Sequence, residues 1–358
     1  MKITIPRKTF LDALGVAGSS TGKDIYSKVK LIVSDGLRIE ASDGDVGLVL
    51  NVACDVAIPG KALVEPSKLN QILGPSSVEF VELSATDSAV VVVAGKSRFE
   101  LPSQNADELP SIKEDTEGDS IEVPAAALLS AIRRTKFATD QASTRYQLGG
   151  VLLEVDGETL HLVATDGRRL SACPIDIPGG SSLGGPIVGL KGLDAICKAF
   201  AGESSLTLRA TAGTLQASSE RATVVAKLID GRYPNWRSVI PADSFNHSIP
   251  IEAGPLAVAL RQASVTTENV DSRGVQLAFA GRSLKLSSRG QDRGKSEIEL
   301  AVDTDAEVAF TIDWRFALDF VANVPDDEIV EMRVNDPSKP VVLKWHGWSY
   351  VIMPMERR

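Results

Sequence analysis

Three stretches of this chain repeat one pattern. VKLIVSDGLRIEASDGDVGLVLNV begins at Val29, RYQLGGVLLEVDGETLHLVATDGRRLSACP runs from Arg145 to Pro174, and GVQLAFAGRSLKLSSRGQDRGKSEIEL begins at Gly274. In the middle copy Val151, Leu153 and Val155 alternate with more polar neighbours, Asp156-Gly157 offers the positive-φ residues of a tight hairpin, and Leu160 to Thr165 returns as the partner strand. A third strand starts at Arg169. A unit that recurs at the spacing of a small domain restricts the chain to a repeat architecture, and 358 residues hold three such domains.

Each repeat opens with a strand and a helix. Lys2 to Pro6 precedes a helix with Phe10, Leu11 and Leu14 on one side and Arg7 and Lys8 on another; Ser120 to Val123 precedes one that turns Leu128, Leu129 and Ile132 inward and ends on Arg133, Arg134 and Lys136. The third runs from His247 to Ile251 into Leu256, Val258, Leu260 and Arg261. A second half follows in the same style. Lys61 to Val64 leads into EPSKLNQIL, Pro186 to Gly189 into LKGLDAICKAF, and Glu307 to Thr311 into DWRFALDFVANV, each followed by two strands. The class is α+β: three similar domains, each with two helices packed on antiparallel sheets. The linkers LPSQNADELPSIKEDTEGDS and GRYPNWRSVIPADSFNHS separate the copies, so the domains are expected at 1–118, 119–244 and 245–358.

Composition excludes several classes of function. No apolar run reaches membrane length, and charges interrupt MKITIPRK, which argues against a leader and for a cytoplasmic protein. Cys54, Cys173 and Cys197 are odd in number and lie among apolar neighbours, so buried reduced thiols are expected rather than disulfides or a metal site. The net charge of −9 argues on its face against a nucleic-acid partner, but acidic residues concentrate at Asp107 to Asp119, Asp303 to Glu307 and Asp326 to Glu331, which leaves room for a one-sided basic face. AGSSTGKD has the wrong spacing for a phosphate loop, and Asp24 stands where a magnesium-holding hydroxyl belongs. Asp166, Arg168 and Arg169 read as a charged Asp-Gly turn, and His161, His247 and His346 are scattered. No catalytic constellation, metal site or cofactor site is expected.

RYQLGGVLLEV, ATDGRRLS, KLIDGRYPNWRSVIP and YVIMPM, in this order within a threefold repeat, resemble the bacterial DNA polymerase III beta subunits, the sliding clamp family. The resemblance covers essentially the whole chain. It implies a clamp fold, a head-to-tail homodimer closing a ring of six domains, helices lining the hole, no enzymatic activity, and tethering of a replicative polymerase, a clamp loader and other proteins with clamp-binding peptides to duplex DNA. The alternative is a specialised accessory clamp or a scaffold unconnected with replication.

A ring that slides cannot read bases, because each specific contact would be a stopping point; it needs cations facing phosphates from rigid supports. The candidates are Arg133, Arg134 and Lys136, then Lys68, Lys191 and Lys198 on the second-half helices. Lys23 joins them because the family carries a basic residue that touches DNA at that place. The resemblance puts the partner-peptide pocket at Leu148, Thr165, Gly167, Arg168, Arg169, Leu170, Pro234, Val239, Phe316, Pro340, Val351, Met353, Pro354 and Met355. It puts the dimer joint at Arg98 and Phe99 against Gln262, Val265 and Thr266. Departures from the family pattern at Arg168, Ser238, Ser272 and the Glu356-Arg357-Arg358 tail bear on which peptides the pocket prefers.

Overall fold

A computed structural model describes residues 1–86, 88–142, 146–179, 182–242, 245–267 and 273–355. Arg145, Ser272 and the tail after Met355 lie outside the described residues. The three repeated stretches each form three antiparallel strands: Val29–Val33, Leu37–Ser42 and Val46–Val52; Gly150–Asp156, Thr159–Thr165 and Arg169–Asp176; Gly274–Ala280, Ser283–Gly290 and Gly294–Ala301. Period-2 alternation drives them, since in Ser283–Gly290 every second residue is buried. The turn chemistry differs from the sequence expectation by one residue. Asp156 pairs with Thr159, so the two-residue loop is Gly157-Glu158, and of Asp156 and Gly157 only the glycine has positive φ, at 63°. In the third copy Gly281 and Arg282 both take positive φ, as a tight hairpin loop requires.

Six helices are described: α1 (Arg7–Gly18), α2 (Pro66–Leu73), α3 (Ala125–Thr135), α4 (Leu190–Ala199), α5 (Ala253–Ser264) and α6 (Trp314–Val321). Each follows a strand directly except α2, which is one residue, Glu65, beyond Gly60–Val64, and each buries an apolar stripe. In α3 the stripe is Leu128, Leu129 and Ile132, each at most 7% exposed, which at roughly 2 kcal/mol per buried side chain holds the helix down. Two expectations fail at helix surfaces. Leu11 is only half-buried because it sits at the margin of the α1 stripe, and Val258 is 51% exposed because it faces away from Leu256 and Leu260.

Contacts gather the chain into two compact units, 1–129 with 177–229 and 130–176 with 230–358, so the second repeat contributes to both. The first unit holds an eight-stranded sheet in the order Ser120–Pro124, Ser205–Ala210, Thr214–Ser218, Ala222–Lys227, Val46–Val52, Leu37–Ser42, Val29–Val33, Gly60–Val64. It also holds a five-stranded sheet that ends on Ser97–Pro102. In the second unit a long antiparallel ladder runs through Gly150–Asp156, Thr159–Thr165, Arg169–Asp176, Trp348–Ile352, Val341–Trp345, Ile329–Val334 and His247–Glu252. A four-stranded sheet there ends on Gly294–Ala301. Among the described residues no helix is long and apolar enough to cross a membrane. Cys173 is buried, whereas Cys54 and Cys197 are half-buried, because one follows a strand into a loop and the other lies on the margin of α4.

Candidate partner pocket, edge strands and basic surface

The turn Asp166-Gly167-Arg168 organises the second unit. Asp166 Oδ1 accepts the main-chain N–H groups of Arg168 (2.9 Å) and Arg169 (3.0 Å), and Thr165 Oγ1 donates to the Arg169 carbonyl while accepting from Gly167 N. Gly167 has φ of 85°, a conformation that side chains with a Cβ resist, so ATDGRR folds as it does for local reasons. The turn then delivers Arg169 into a buried node. Its Nε donates to Asp166 Oδ2 (2.9 Å), Nη1 to Asp319 (2.5 Å) and the Tyr350 hydroxyl (3.3 Å), and Nη2 to the Phe137 carbonyl (2.6 Å). The guanidinium also lies 4.4 Å from the ring centre of Phe316.

The electrostatics of this node are asymmetric. Burial alone would lower the Arg169 pKa, but Tyr350, Asp319 and Asp166 outweigh it and hold the group above its ordinary value. For Asp319 burial wins: its carboxyl is raised above the ordinary 3.8 even though Arg169 and Arg315 pull it down. Burial likewise pushes the Tyr350 phenol up. Arg169 therefore ties the residues after α3, the α6 carboxylate and the last strand to one turn, with four of its five N–H donors spent on the protein itself.

All fourteen expected pocket residues lie in one unit, and three of them, Arg168, Arg169 and Phe316, line the cleft beside this node. Leu170 pairs with Val351 and Arg169 with Ile352 in adjacent strands, Met353 N donates to the Arg168 carbonyl (2.9 Å), and Met355 N donates to the Thr311 carbonyl (2.8 Å). Leu148, Leu170 and Val351 are 3%, 1% and 1% exposed and belong to the core; Pro234, Val239 and Met353 are exposed, and Phe316, Pro340, Pro354 and Met355 are half-buried. The linker side is held by Trp236, whose Nε1 donates to Glu154 (2.9 Å), and by Arg237, which pairs with Glu154 and Asp156. His161 packs 5.3 Å from Trp236, and burial with the nearby Arg237 keeps its pKa below 6.5. Beside the node opens a cleft of about 820 Å³ lined by Arg168, Arg169 and Phe316 together with Asp140, Ala142, Asp166, Arg273, Trp314, Arg315, Leu318 and Asp319. Sequence reasoning missed Trp314, Arg315 and Arg273; a Trp and an Arg opening α6 after an Asp cap was the available signal.

The basic candidates separate into distinct states. Lys23, Arg133 and Lys198 are exposed. Lys68 pairs with Glu65 (3.1 Å) and Lys191 with Asp43 (2.7 Å), which offsets part of the charge each presents. Arg134 lies over the Trp345 ring at 4.5 Å, and Lys136 is half-buried in the short 3-10 turn Lys136–Ala138 after α3.

The expected dimer residues sit beside two sheet edges that have no further strand partner among the described residues. Ser97–Pro102 has a partner on one side only, with Phe99 37% exposed and Arg98 exposed. In the other unit Gly294–Ala301 is likewise terminal, and beside it Val265 is 71% exposed, Gln262 exposed and Thr266 bonded to Ser288 and Ser296. The strand Gly294–Ala301, with Lys295, Glu297 and Glu299 outward, was not singled out from sequence. The repeat gives these edges meaning. The third strand of the first copy, Val46–Val52, pairs with Ala222–Lys227, the last strand of the second repeat; the third strand of the second copy, Arg169–Asp176, pairs with Trp348–Ile352, the last strand of the third. The third strand of the third copy is Gly294–Ala301, and its counterpart by the same rule is Ser97–Pro102.

Fold and site thus define a threefold-repeated strand-joined protein with a cleft at one of its joints, the plan of a clamp. Family models of the N-terminal, central and C-terminal domains of the DNA polymerase III beta subunit match residues 1–113, 122–235 and 237–356. A beta sliding clamp of Caulobacter vibrioides is 30% identical over 382 residues, covering 99% of this chain and 100% of the relative; that of Escherichia coli is 28% identical over 370 residues with the same coverage. A Pseudomonas aeruginosa sliding clamp solved with griselimycin superposes with a TM-score of 0.92 at 26% identity over 100% of both chains. The Thermotoga maritima beta subunit shares the fold, at a TM-score of 0.90 and 22% identity over 100% of both. The chain belongs to the DNA polymerase III beta subunit family, the beta sliding clamps.

Proposed function

We propose that two copies of this chain close head to tail into a ring around duplex DNA and tether a replicative polymerase, a clamp loader and other proteins that carry clamp-binding peptides. The observation that carries this reading is the repeat rule for strand joints: two of three equivalent joints are made within the chain, and the third is left as two bare edges, which only a second copy satisfies in a closed assembly. On this reading the three clamp domains are 1–118, 119–244 and 245–358. Phe99 and Arg98 meet Gln262, Val265 and Thr266 of the second copy alongside the strand pair.

Arg133, Lys23 and Lys198 are exposed and have no ion pair among the described residues, and Arg134, Lys136, Lys68 and Lys191 add to the field; contacts of this kind follow phosphates without reading sequence. The pocket from Leu148 to Met355 receives the peptide, and Met353 and Met355 suit varied anchors because a thioether repacks easily. The protein does no chemistry of its own, needs no cofactor, and acts where the chromosome is, in the cytoplasm. The test is topological. Protein loaded on closed circular DNA stays bound and is released when the circle is cut once; equal retention on circular and linear DNA would overturn the ring.

A further inference from the structure

The repeat rule for strand joints sets more than which strands meet; it sets which residues stand opposite one another. In the joint made inside the second unit Ser171 pairs with Tyr350, Leu170 with Val351 and Ala172 with Ser349. Ser171 has a counterpart in Ser296. Their hairpin partners, Ala164 and Ser288, stand equally far past the loops closed by Asp156–Thr159 and Ala280–Ser283. Each serine hydroxyl also donates to a carbonyl in the last turn of its repeat's first helix, Ser171 to Arg134 (2.6 Å) and Ser296 to Ala263 (3.3 Å). Tyr350 has a counterpart in Phe99: each is the third residue of a strand that follows a two-residue loop, closed by Trp345–Trp348 in one hairpin and by Ala94–Ser97 in the other. Carried to the third joint, the register sets Ser296 opposite Phe99, and therefore Lys295 opposite Glu100 and Glu297 opposite Arg98.

The charges agree with this register, although its derivation uses none of them. Lys295 and Glu297 are exposed on one face of their strand, and Arg98 and Glu100 are exposed on theirs, opposite Val93 and Val91, with no ion pair among the described residues. Lys295 stands opposite Arg289 in its own hairpin, a like-charge pair that a carboxylate on the free side of the strand offsets. A slip of one residue would turn Phe99 to the opposite face, and a slip of two would bring Lys295 onto Arg98 or Glu297 onto Glu100. We propose that Lys295 against Glu100 and Glu297 against Arg98 form a charge pattern that sets the register of the joint and makes this chain select a second copy of itself, rejecting a clamp subunit with other charges at these positions. The inference rests on the head-to-tail reading above. Exposed pairs contribute little singly, but their sign counts at both joints of a closed ring, so they act on the choice of mate more than on strength.

The experiment uses the full-length protein labelled with donor or acceptor dye, with subunit exchange read by energy transfer at low salt. Glu100→Lys and Lys295→Glu each set like charges opposite one another at both joints, and each speeds exchange roughly tenfold. Mixed together, the two variants form rings that exchange as slowly as the unmodified protein, because every joint again holds one lysine against one glutamate. The chain carrying both changes pairs with itself roughly tenfold better than with the unmodified chain, and raising salt narrows all these differences. Single variants that exchange at the unmodified rate, or a mixture of the two that stays as loose as either alone, would overturn the register while leaving the dimer in place. A doubly changed chain that mixes freely with the unmodified one would overturn the selection of self. Labelled unmodified copies that show no energy transfer at all would instead take down the head-to-tail reading, and this inference with it.

Discussion

Two joints in the molecule obey the same strand rule yet present opposite surfaces. In the first unit, where Val46–Val52 meets Ala222–Lys227, the acidic linker after Pro102 lies over the joint. Ile112 rests on Gly47, where a Cβ would come within 3.0 Å of it; Glu114 takes Arg38 (2.7 Å) and Thr223 (2.9 Å), and Asp115 and Gln216 exchange hydrogen bonds of 2.7 and 3.1 Å. Beneath this strap the buried Lys30 donates to Ser111 (3.2 Å) beside Glu40. The space that remains is about 430 Å³. In the second unit, where Arg169–Asp176 meets Trp348–Ile352, the linker is anchored on Glu154 and Asp156, and none of its residues lines the cleft of about 820 Å³. One joint is partly covered by its own chain and the other is left available. Docking capacity thus follows from where a linker is tied, and the strands themselves are common to both.

The third joint sharpens this comparison most. If Ser97–Pro102 completes Gly294–Ala301 of a second copy, Phe99→Asp places a charge on the same face as Val92, opposite which Phe99 lies, and both sheets lose the closure. The expected result is a folded monomer by ultracentrifugation, with retention on circular DNA reduced more than tenfold; an unchanged dimer would show that the edges are not the joint.

Removing Met353 to Arg358 tests the open joint without touching the strand pair. The truncated chain is expected to remain a dimer that encloses DNA but to bind a Gln-Leu-x-Leu-Phe peptide at least tenfold more weakly in a titration. Undiminished affinity would place the partner site elsewhere.

The covered joint responds to Ile112→Ala, which removes half-buried apolar contacts over Gly47 and is expected to cost about 1 kcal/mol in urea unfolding. It creates no peptide site, because the Arg38 ion pair and Thr223 hydrogen bond of Glu114 and the bonds of Asp115 still hold the strap. New peptide affinity in this variant would mean that Ile112 alone closes the first joint.

The smallest effect concerns Asp319. Its folded pKa lies above the unfolded 3.8, so the folded state binds the proton more tightly and stability from this group falls as pH rises through the interval just above 3.8. Asp319→Asn should remove that slope, with little change below it, because Arg169 keeps Asp166, Tyr350 and the Phe137 carbonyl. Urea midpoints of the two proteins measured across mildly acid pH check this: the unmodified chain should lose stability relative to Asp319→Asn as pH rises, and a gain relative to the variant would show that the ion pair, not burial, dominates.

The sequence alone determined the strands, the helices and their repetition, because alternation with period two, apolar stripes and glycine turns are local properties that each segment carries whatever surrounds it. It also determined the Asp166 to Arg169 turn, whose hydrogen bonds close within four residues. Which strands join different repeats, and which edges stay bare, was decided only in the tertiary structure. Leu170 and Val351 are 181 positions apart, and nothing local to either names the other. The same holds for the charges. Arg168 and Arg169 are adjacent and chemically identical in the sequence; only the placement of Asp319 and Tyr350 spends one inside the protein and leaves the other facing the cleft.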